Sequence, residues 1–126
     1  MEEMNLRNYA YLGDAVWELF IRKKTIRQTN NAKKLHQITT DLVKTHTQSE
    51  LLHFLEPNLT EEELELVRRA RNLPIPVGRR NIQAEYRQAT AFEALIGWWK
   101  EHDTSRLEEI LTLLTGQIEL YFNKNL

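Results

Sequence analysis

The chain has 126 residues, of which 41% are hydrophobic and 28% charged, and its formal net charge is −1. This length fits one domain with a real core, and the composition excludes a disordered chain. The absence of cysteine excludes disulfides and thiolate metal sites. Because no apolar run reaches the ~20 residues of a membrane helix, and the N-terminal residues lack signal-peptide order, we expect a cytoplasmic domain over residues 1–126 that does not bind a membrane.

Helical periodicity begins near the N-terminus. Residues 6–27 carry apolar side chains such as Leu12, Val16 and Leu19 at helical spacing, which predicts a first helix. This helix is apolar on almost every side, so we expect it to be central in the fold. A second helix is predicted over residues 31–55, and its polar stretch at 45–49 is a candidate bend.

The second half of the chain continues the helical pattern. Thr60 with Glu63, and Ser105 with Glu108, have capping-box spacing, which predicts helices that begin there. Prolines and a glycine within residues 72–83 predict a loop, followed by a helix over 84–100. The sequence therefore predicts a single all-α domain of about five main helices.

Asp14 and Glu93 each stand as the only charged residue of an apolar helical stretch. A lone carboxylate is costly to bury unless a proton, a basic group or a cation compensates it. Mg²⁺ prefers carboxylate and water oxygens, and two carboxylates from separate helices could hold one ion. Spacing alone leaves a second interpretation open, in which both acids reach solvent or pair with arginines such as Arg22 or Arg87.

Two other clusters of polar residues have two interpretations each. Residues 68–87 contain six arginines and one acid, which indicates either an anion-binding surface or a solvated loop. His46, Glu50 and His53 share one helical face, and Glu50 with His53 has the Glu-x-x-His spacing of di-iron bundles. That fold needs two such motifs and the chain has one, so we expect a solvated surface there.

Several motifs together resemble one enzyme family. YLGDAV at residues 11–16 resembles the signature helix of the ribonuclease III endonuclease domain, and AFEALIG at 91–97 resembles its second acidic helix. NAKKLH at 31–36 and RRARN at 68–72 are similar to Mini-ribonuclease III, the short bacterial branch. The resemblance covers nearly the whole chain.

The resemblance implies Mg²⁺-dependent cleavage of double-stranded RNA that leaves 5′-phosphate and 3′-hydroxyl ends. Asp14 and Glu93 match the family's catalytic, metal-binding acids. Ala10 and Thr90 stand where larger relatives carry further acids, so the number of metal ions is open. The family's enzymes are homodimers, which would place Tyr11, Gly13 and Trp17 near the subunit contact.

The resemblance also implies a substrate and a binding surface. We expect maturation of the large-subunit (23S) rRNA precursor, with help from a ribosomal protein and without a separate double-stranded-RNA-binding domain. The alternative is a non-catalytic RNA-binding or scaffold domain of the same fold. Candidates to orient substrate or a metal-bound water are Tyr86, Gln83 and Thr90. The predicted RNA-binding residues are Arg68, Arg69, Arg71, Asn72, Arg79, Arg80, Lys33 and Lys34.

Overall fold

Helices form nearly all of residues 4–75 and 83–126, which are the residues that the computed structural model describes. They are α1 (Leu6–Thr25), α2 (Ala32–Val43), α3 (Thr45–Leu55), α4 (Glu61–Arg71), α5 (Gln83–His102) and α6 (Thr104–Asn125). A short 3-10 helix, Glu56–Asn58, joins α3 to α4. These two ranges contain no strand, and the predicted all-α class is confirmed. No helix within them is long and apolar enough to cross a membrane.

Side-chain caps fix where the helices begin. Asn5 Oδ1 accepts from the Arg7 amide at 2.8 Å, which opens α1. The predicted capping box at α4 is confirmed, since Thr60 and Glu63 exchange both hydrogen bonds, at 2.8 and 3.2 Å. The box predicted at Ser105 is wrong. Asp103 caps α6 instead, two residues earlier, because its carboxylate lies next to the end of α5 and accepts from the Arg106 amide at 3.1 Å.

The helix predicted over residues 31–55 is interrupted at Lys44, whose backbone is extended (φ −70°, ψ 159°). Two backbone carbonyls that would accept amide hydrogen bonds in a continuous helix accept side-chain hydrogen bonds instead. Trp17 Nε1 donates to the Leu42 carbonyl at 3.1 Å, and the Thr47 hydroxyl donates to the Asp41 carbonyl. The break therefore precedes the predicted bend, and it depends on a tryptophan from another helix.

Two glycines let α1 and α5 cross in direct backbone contact. A Cβ atom on Gly13 would lie 1.8 Å from the Glu93 carbonyl oxygen, and one on Gly97 would lie 1.9 Å from the Tyr9 carbonyl oxygen. Real Cβ atoms never approach so closely, so only glycine permits this crossing. Because Asp14 follows Gly13 directly, the crossing fixes the position of Asp14 along the axis of α5.

The core forms where the other helices surround this crossing. Trp17, Phe92 and Trp99 are fully buried, and the Trp17 and Phe92 rings meet edge to face with their centroids 5.0 Å apart. The expectation that α1 is central holds for only one side of the helix. Its other side is open in the protomer, where Tyr11 is 84% and Leu19 57% exposed.

One acid of the run at residues 61–65 is buried. Glu63 accepts from Trp99 Nε1 at 2.9 Å and from Nε and Nη2 of Arg106, each at 2.9 Å. Burial alone would raise the pKa of Glu63, but the hydrogen bonds from Arg106, Thr60 and Trp99 together lower it. This network ties α4, α5 and α6 together at the end of α5 that is remote from Glu93.

Candidate active site

The Asp14 and Glu93 side chains share one open cleft of about 300 Å³ between α1 and α5. Asp14 is exposed, whereas Glu93 is mostly buried. The other residues that line the cleft are Arg7, Ala10, Tyr11, Tyr86 and Thr90. The structure thus brings together the two predicted acids and two of the residues predicted to orient substrate or water, Tyr86 and Thr90. Gln83 is exposed at the first position of α5 and does not line the cleft.

The two carboxyl groups are in hydrogen-bonding contact. Burial, followed by the hydrogen bond and the charge of Asp14, raises the pKa of Glu93 to about 8. Gln48, a buried residue of α3, opposes this shift, since its Nε2 donates to Glu93 Oε2 at 3.4 Å. At neutral pH and without a metal ion, a Glu93 carboxyl with this raised pKa favours its protonated form.

The arginines that could have neutralised these acids lie elsewhere. Arg22 pairs with Glu18 at 3.3 Å on the surface of α1. Arg87 donates from Nη1 to the carbonyl of Arg71 and, at 3.4 Å, to that of Leu73. The interpretation of Asp14 and Glu93 as partners of Arg22 or Arg87 is therefore wrong.

The same pair fits a hard divalent cation. Two carboxylates in contact need either a shared proton or a cation, and carboxylate oxygens are ligands that Mg²⁺ accepts. Across residues 4–75 and 83–126, no group of three or more His, Asp or Glu side chains could hold a metal ion. A cation in the cleft would therefore draw on two protein carboxylates and complete its shell with water and substrate oxygens.

The end of α4 is anchored beside the cleft by two arginines from other helices. Arg87 caps the carbonyls at the end of α4, and Arg7 Nη2 donates to the Pro74 carbonyl at 2.5 Å. Leu73, Pro74 and Ile75 line a small gap together with Tyr86 and Thr90. The apolar character of this segment follows from that packing. Arg71 and Asn72 directly precede the segment but do not line the cleft.

The predicted RNA-binding residues are spread over several places. Arg68 is bound to Glu65 through two hydrogen bonds, from Nε at 2.9 Å and from Nη2 at 2.5 Å. Arg69 lines a separate groove formed by α4, α5 and α6. Lys33 and Lys34 lie in the first turn of α2, at the end of α1 remote from Asp14. Arg79 and Arg80 lie outside the described residues.

That separate groove is larger, at about 660 Å³, but its charge does not suit RNA. Glu61, Glu62 and Glu65 line it. Five acids line that groove against two arginines, Arg69 and Arg106, and Arg106 is already paired with Glu63. This excess of carboxylates repels phosphates, whereas the smaller cleft has two acids and one cation, Arg7. The smaller cleft is therefore the candidate site.

His46, Glu50 and His53 are all exposed, as expected for a solvated surface. The His46 ring bonds Glu50 through Nε2 and Glu85, at the start of α5, through Nδ1 at 2.7 Å. The hydrogen bond to Glu85 and the charge of Glu50 raise the pKa of His46. His53 takes no part, so the expectation of a solvated surface is right, with an added link between α3 and α5.

Two residues of this site were absent from the sequence prediction. Arg7 precedes Ala10 by three residues and Asp14 by seven, which puts all three on one helical face, so the spacing alone could have identified it. Gln48 could not have been found in this way. Its contact with Glu93 depends on how α3 packs against α5, which the spacing within either helix does not encode.

Comparisons with known proteins agree with this arrangement. Residues 7–103 match the Ribonuclease III domain family model. A protein of Gloeobacter violaceus named Mini-ribonuclease 3 is 42% identical over 113 residues, covering 90% of this chain and 84% of that protein. One of the same name from Desulfitobacterium hafniense is 40% identical over 111 residues, covering 87% and 69%. A Fusobacterium nucleatum protein solved by X-ray crystallography superposes with a TM-score of 0.78 at 27% identity, covering 92% of this chain and 96% of that one.

Proposed function

Since this chain belongs to the ribonuclease III domain family, in which its relatives are Mini-ribonuclease 3 proteins, we propose that its acidic cleft cuts double-stranded RNA with Mg²⁺ as the cofactor. That the chain is an endoribonuclease follows from the family itself. The observation that carries the mechanism is the contact between the Asp14 and Glu93 carboxyl groups. The glycine crossing of α1 and α5 holds both groups in one open cleft.

Asp14 and Glu93 would hold the metal ion, with Glu93 giving up its proton on binding. A bound Mg²⁺ would supply a water of lowered pKa and positive charge against the phosphate. Thr90 and Tyr86 lie on the same cleft wall as Glu93, within reach of a water or a ribose hydroxyl. Gln48 keeps one Glu93 oxygen oriented from behind, in the way that outer-shell hydrogen bonds fix metal ligands.

The reaction is hydrolysis of a phosphodiester. Water adds to phosphorus, the bond from phosphorus to the 3′ oxygen breaks, and that oxygen takes up a proton. The products are a 3′-hydroxyl and a 5′-phosphate. Because both acids are charged once Glu93 loses its proton, neither can donate this proton, and it comes from solvent through the open cleft.

Double-stranded RNA would reach the cleft along the end of α4. A-form RNA is recognised mainly through phosphates and 2′-hydroxyls. Arg71 and Asn72 lie at the end of α4, directly before the segment that packs against Arg7 and Tyr86. Arg68, Arg69, Arg79, Arg80, Lys33 and Lys34 complete the proposed RNA-binding set. Arg68 is the weakest member on geometry, since contact with a phosphate must compete with Glu65.

A homodimer would cover the open side of α1. The exposed apolar residues Met4, Tyr11, Leu19 and Ile26 recur every seven or eight residues on that side. Tyr11 also lines the cleft, so the dimer contact would adjoin the active site. Gly13 and Trp17 are buried against α5 or the core of the same protomer, so Tyr11 is the member of the predicted set whose side chain is free to touch a partner, and the nearness of the other two to the contact stays a prediction.

The finer biological assignment rests on the resemblance to the Mini branch. We propose the large-subunit (23S) rRNA precursor as the substrate. Help from a ribosomal protein and a cytoplasmic location stay predictions. A non-catalytic scaffold role is the weaker proposal, since a domain without catalysis has no need to keep two carboxyl groups in contact.

The proposal is tested with a duplex RNA and with its two single strands, each incubated with Mg²⁺ or with EDTA. We expect cleavage of both strands of the duplex in Mg²⁺ alone, with 5′-phosphate ends detected by enzymatic ligation. Cleavage in EDTA, or equal cleavage of the separate strands, would contradict the proposal.

A further inference from the structure

Arg7 is the only cation that lines the catalytic cleft among the described residues. It lies in the first turn of α1, on the same helical face as Ala10 and Asp14. Ala10 adds little bulk between them, so the guanidinium and the Asp14 carboxylate face one open space. A phosphate that enters this space meets both groups.

The guanidinium is held in place from one side only. Its Nη2 donates to the Pro74 carbonyl at 2.5 Å, and the described residues offer no second hydrogen-bond acceptor. Neither Asp14 nor Glu93 is within ion-pair distance of Arg7, although both line the same cleft. Arg7 is therefore not the neutralising partner of the acids, and most of its five donor hydrogens remain available.

The cleft chemistry gives these donors a use. An arginine fork matches the non-bridging oxygens of a phosphate, and it binds them in a bidentate manner that lysine cannot reproduce. Two carboxylates would balance the formal charge of one divalent cation, so they would weaken its attraction for the phosphates of the strand. Arg7 adds a positive charge that strengthens the attraction of the loaded cleft for an anion.

We propose that Arg7 is a substrate-contacting residue, whose guanidinium binds the non-bridging oxygens of a phosphate of the RNA strand being cut. This inference rests on the proposed function and deepens it. The hydrogen bond from Arg7 to the Pro74 carbonyl would then orient the guanidinium before RNA binds. The partner is a phosphodiester, and no base is read.

The test compares Arg7→Gln and Arg7→Lys with Arg22→Gln. Arg22 is a matched control, because it is an exposed arginine of the same helix, paired with Glu18 and remote from the cleft. Single-turnover cleavage of duplex RNA in Mg²⁺ gives the rate and the apparent affinity separately. The salt dependence of duplex binding is measured in an Asp14→Asn background, where cleavage does not interfere.

We expect Arg7→Gln to lower kcat/KM by about 10- to 100-fold, as loss of a hydrogen bond to a charged group does. The slope of log affinity against log salt should fall in magnitude by about 1, the value for one phosphate contact. Arg7→Lys should keep the slope but recover only part of the cleavage rate. Arg22→Gln should match wild type in both measurements.

The outcomes separate this inference from the proposed function. If the wild type cuts duplex RNA and Arg7→Gln cuts it equally well, the role of Arg7 is overturned and the proposed function stands. A wild type that neither binds nor cuts the duplex overturns both. If Arg7→Gln loses thermal stability through its bond to Pro74, Arg7→Lys decides the matter, because full cleavage by the lysine variant excludes bidentate binding.

Discussion

Gly13→Ala should destabilise this protein, although alanine is the better helix former by about 1 kcal/mol. The new Cβ would lie 1.8 Å from the Glu93 carbonyl oxygen, and ordinary contact begins at 3.4 Å, so α1 and α5 would have to separate by about 1.6 Å. Overpacking of this kind costs about 1–3 kcal/mol, and a backbone carbonyl cannot rotate away. We expect a net loss of about 2 kcal/mol.

Gly116→Ala is the matched control, because Gly116 lies in α6 with nothing within 4 Å of its added Cβ. It should gain up to about 1 kcal/mol from helix propensity. Urea unfolding of both variants should therefore show opposite shifts, about 3 kcal/mol apart. Thermal melting should follow at about 4 °C per kcal/mol for a chain of this size.

The same substitution should also damage catalysis. The separation moves Asp14 relative to Glu93 by more than 1 Å, and a misplacement of that size can cost about 100-fold in rate. Cleavage of duplex RNA should be measured well below the melting temperature, where the variant is folded. A Gly13→Ala protein as stable as Gly116→Ala, or one that cuts at the wild-type rate, would refute the role of the crossing.

Three further predictions concern the buried carboxyl groups of Glu93 and Glu63 and the exposed side chain of Leu19. Glu93 has a folded-state pKa of about 8, so the wild type loses stability as pH rises from about 4.5 to 8. In urea unfolding with EDTA, the free energy of unfolding of Glu93→Gln should exceed that of the wild type by on the order of 4 kcal/mol at pH 8 and by almost nothing at pH 4.5. A pH-independent difference would contradict the cause. Leu19→Glu should convert a dimer to monomers in sedimentation velocity while Leu113→Glu leaves it intact, and equal behaviour of the two would exclude this face of α1. Glu63→Ala should lower the free energy of unfolding by about 3 kcal/mol, because it removes the main ion-pair partner of the partly buried Arg106 and the acceptor of the buried Trp99 Nε1. The exposed Glu109→Ala should cost less than about 1 kcal/mol. Similar losses would show that the buried network adds little.

The helical class and the pair of acids could be predicted because both are written in local sequence. Apolar spacing identifies α1 and α5, and the capping box at Thr60 requires only residues within one turn. Asp14 and Glu93 could be identified because a single charge in an apolar helix needs a compensating group, and the family motifs then indicated which one.

The remaining features depend on neighbours that are distant in sequence. The helix break at Lys44 depends on Trp17 of α1, whose Nε1 donates a hydrogen bond to the Leu42 carbonyl of α2. The sequence does not distinguish Glu63 from the other acids of residues 61–65, because its pairing with Arg106 of α6 forms only in the folded protein. Gln48 reaches Glu93 only after α3 packs on α5. Periodicity within one helix does not predict these contacts, because it identifies the buried face of a helix but not the residues that pack against that face.

We propose that Asp14 takes part directly in RNA cleavage and is not required for folding or for RNA binding. Asp14→Asn should be compared with Glu18→Gln, which removes an exposed acid one turn further along the same helix. Cleavage and binding of duplex RNA in Mg²⁺ are measured for both variants. We predict that Asp14→Asn binds the duplex and melts like wild type but does not cut it, while Glu18→Gln cuts normally. Equal cutting by the two variants would contradict the account.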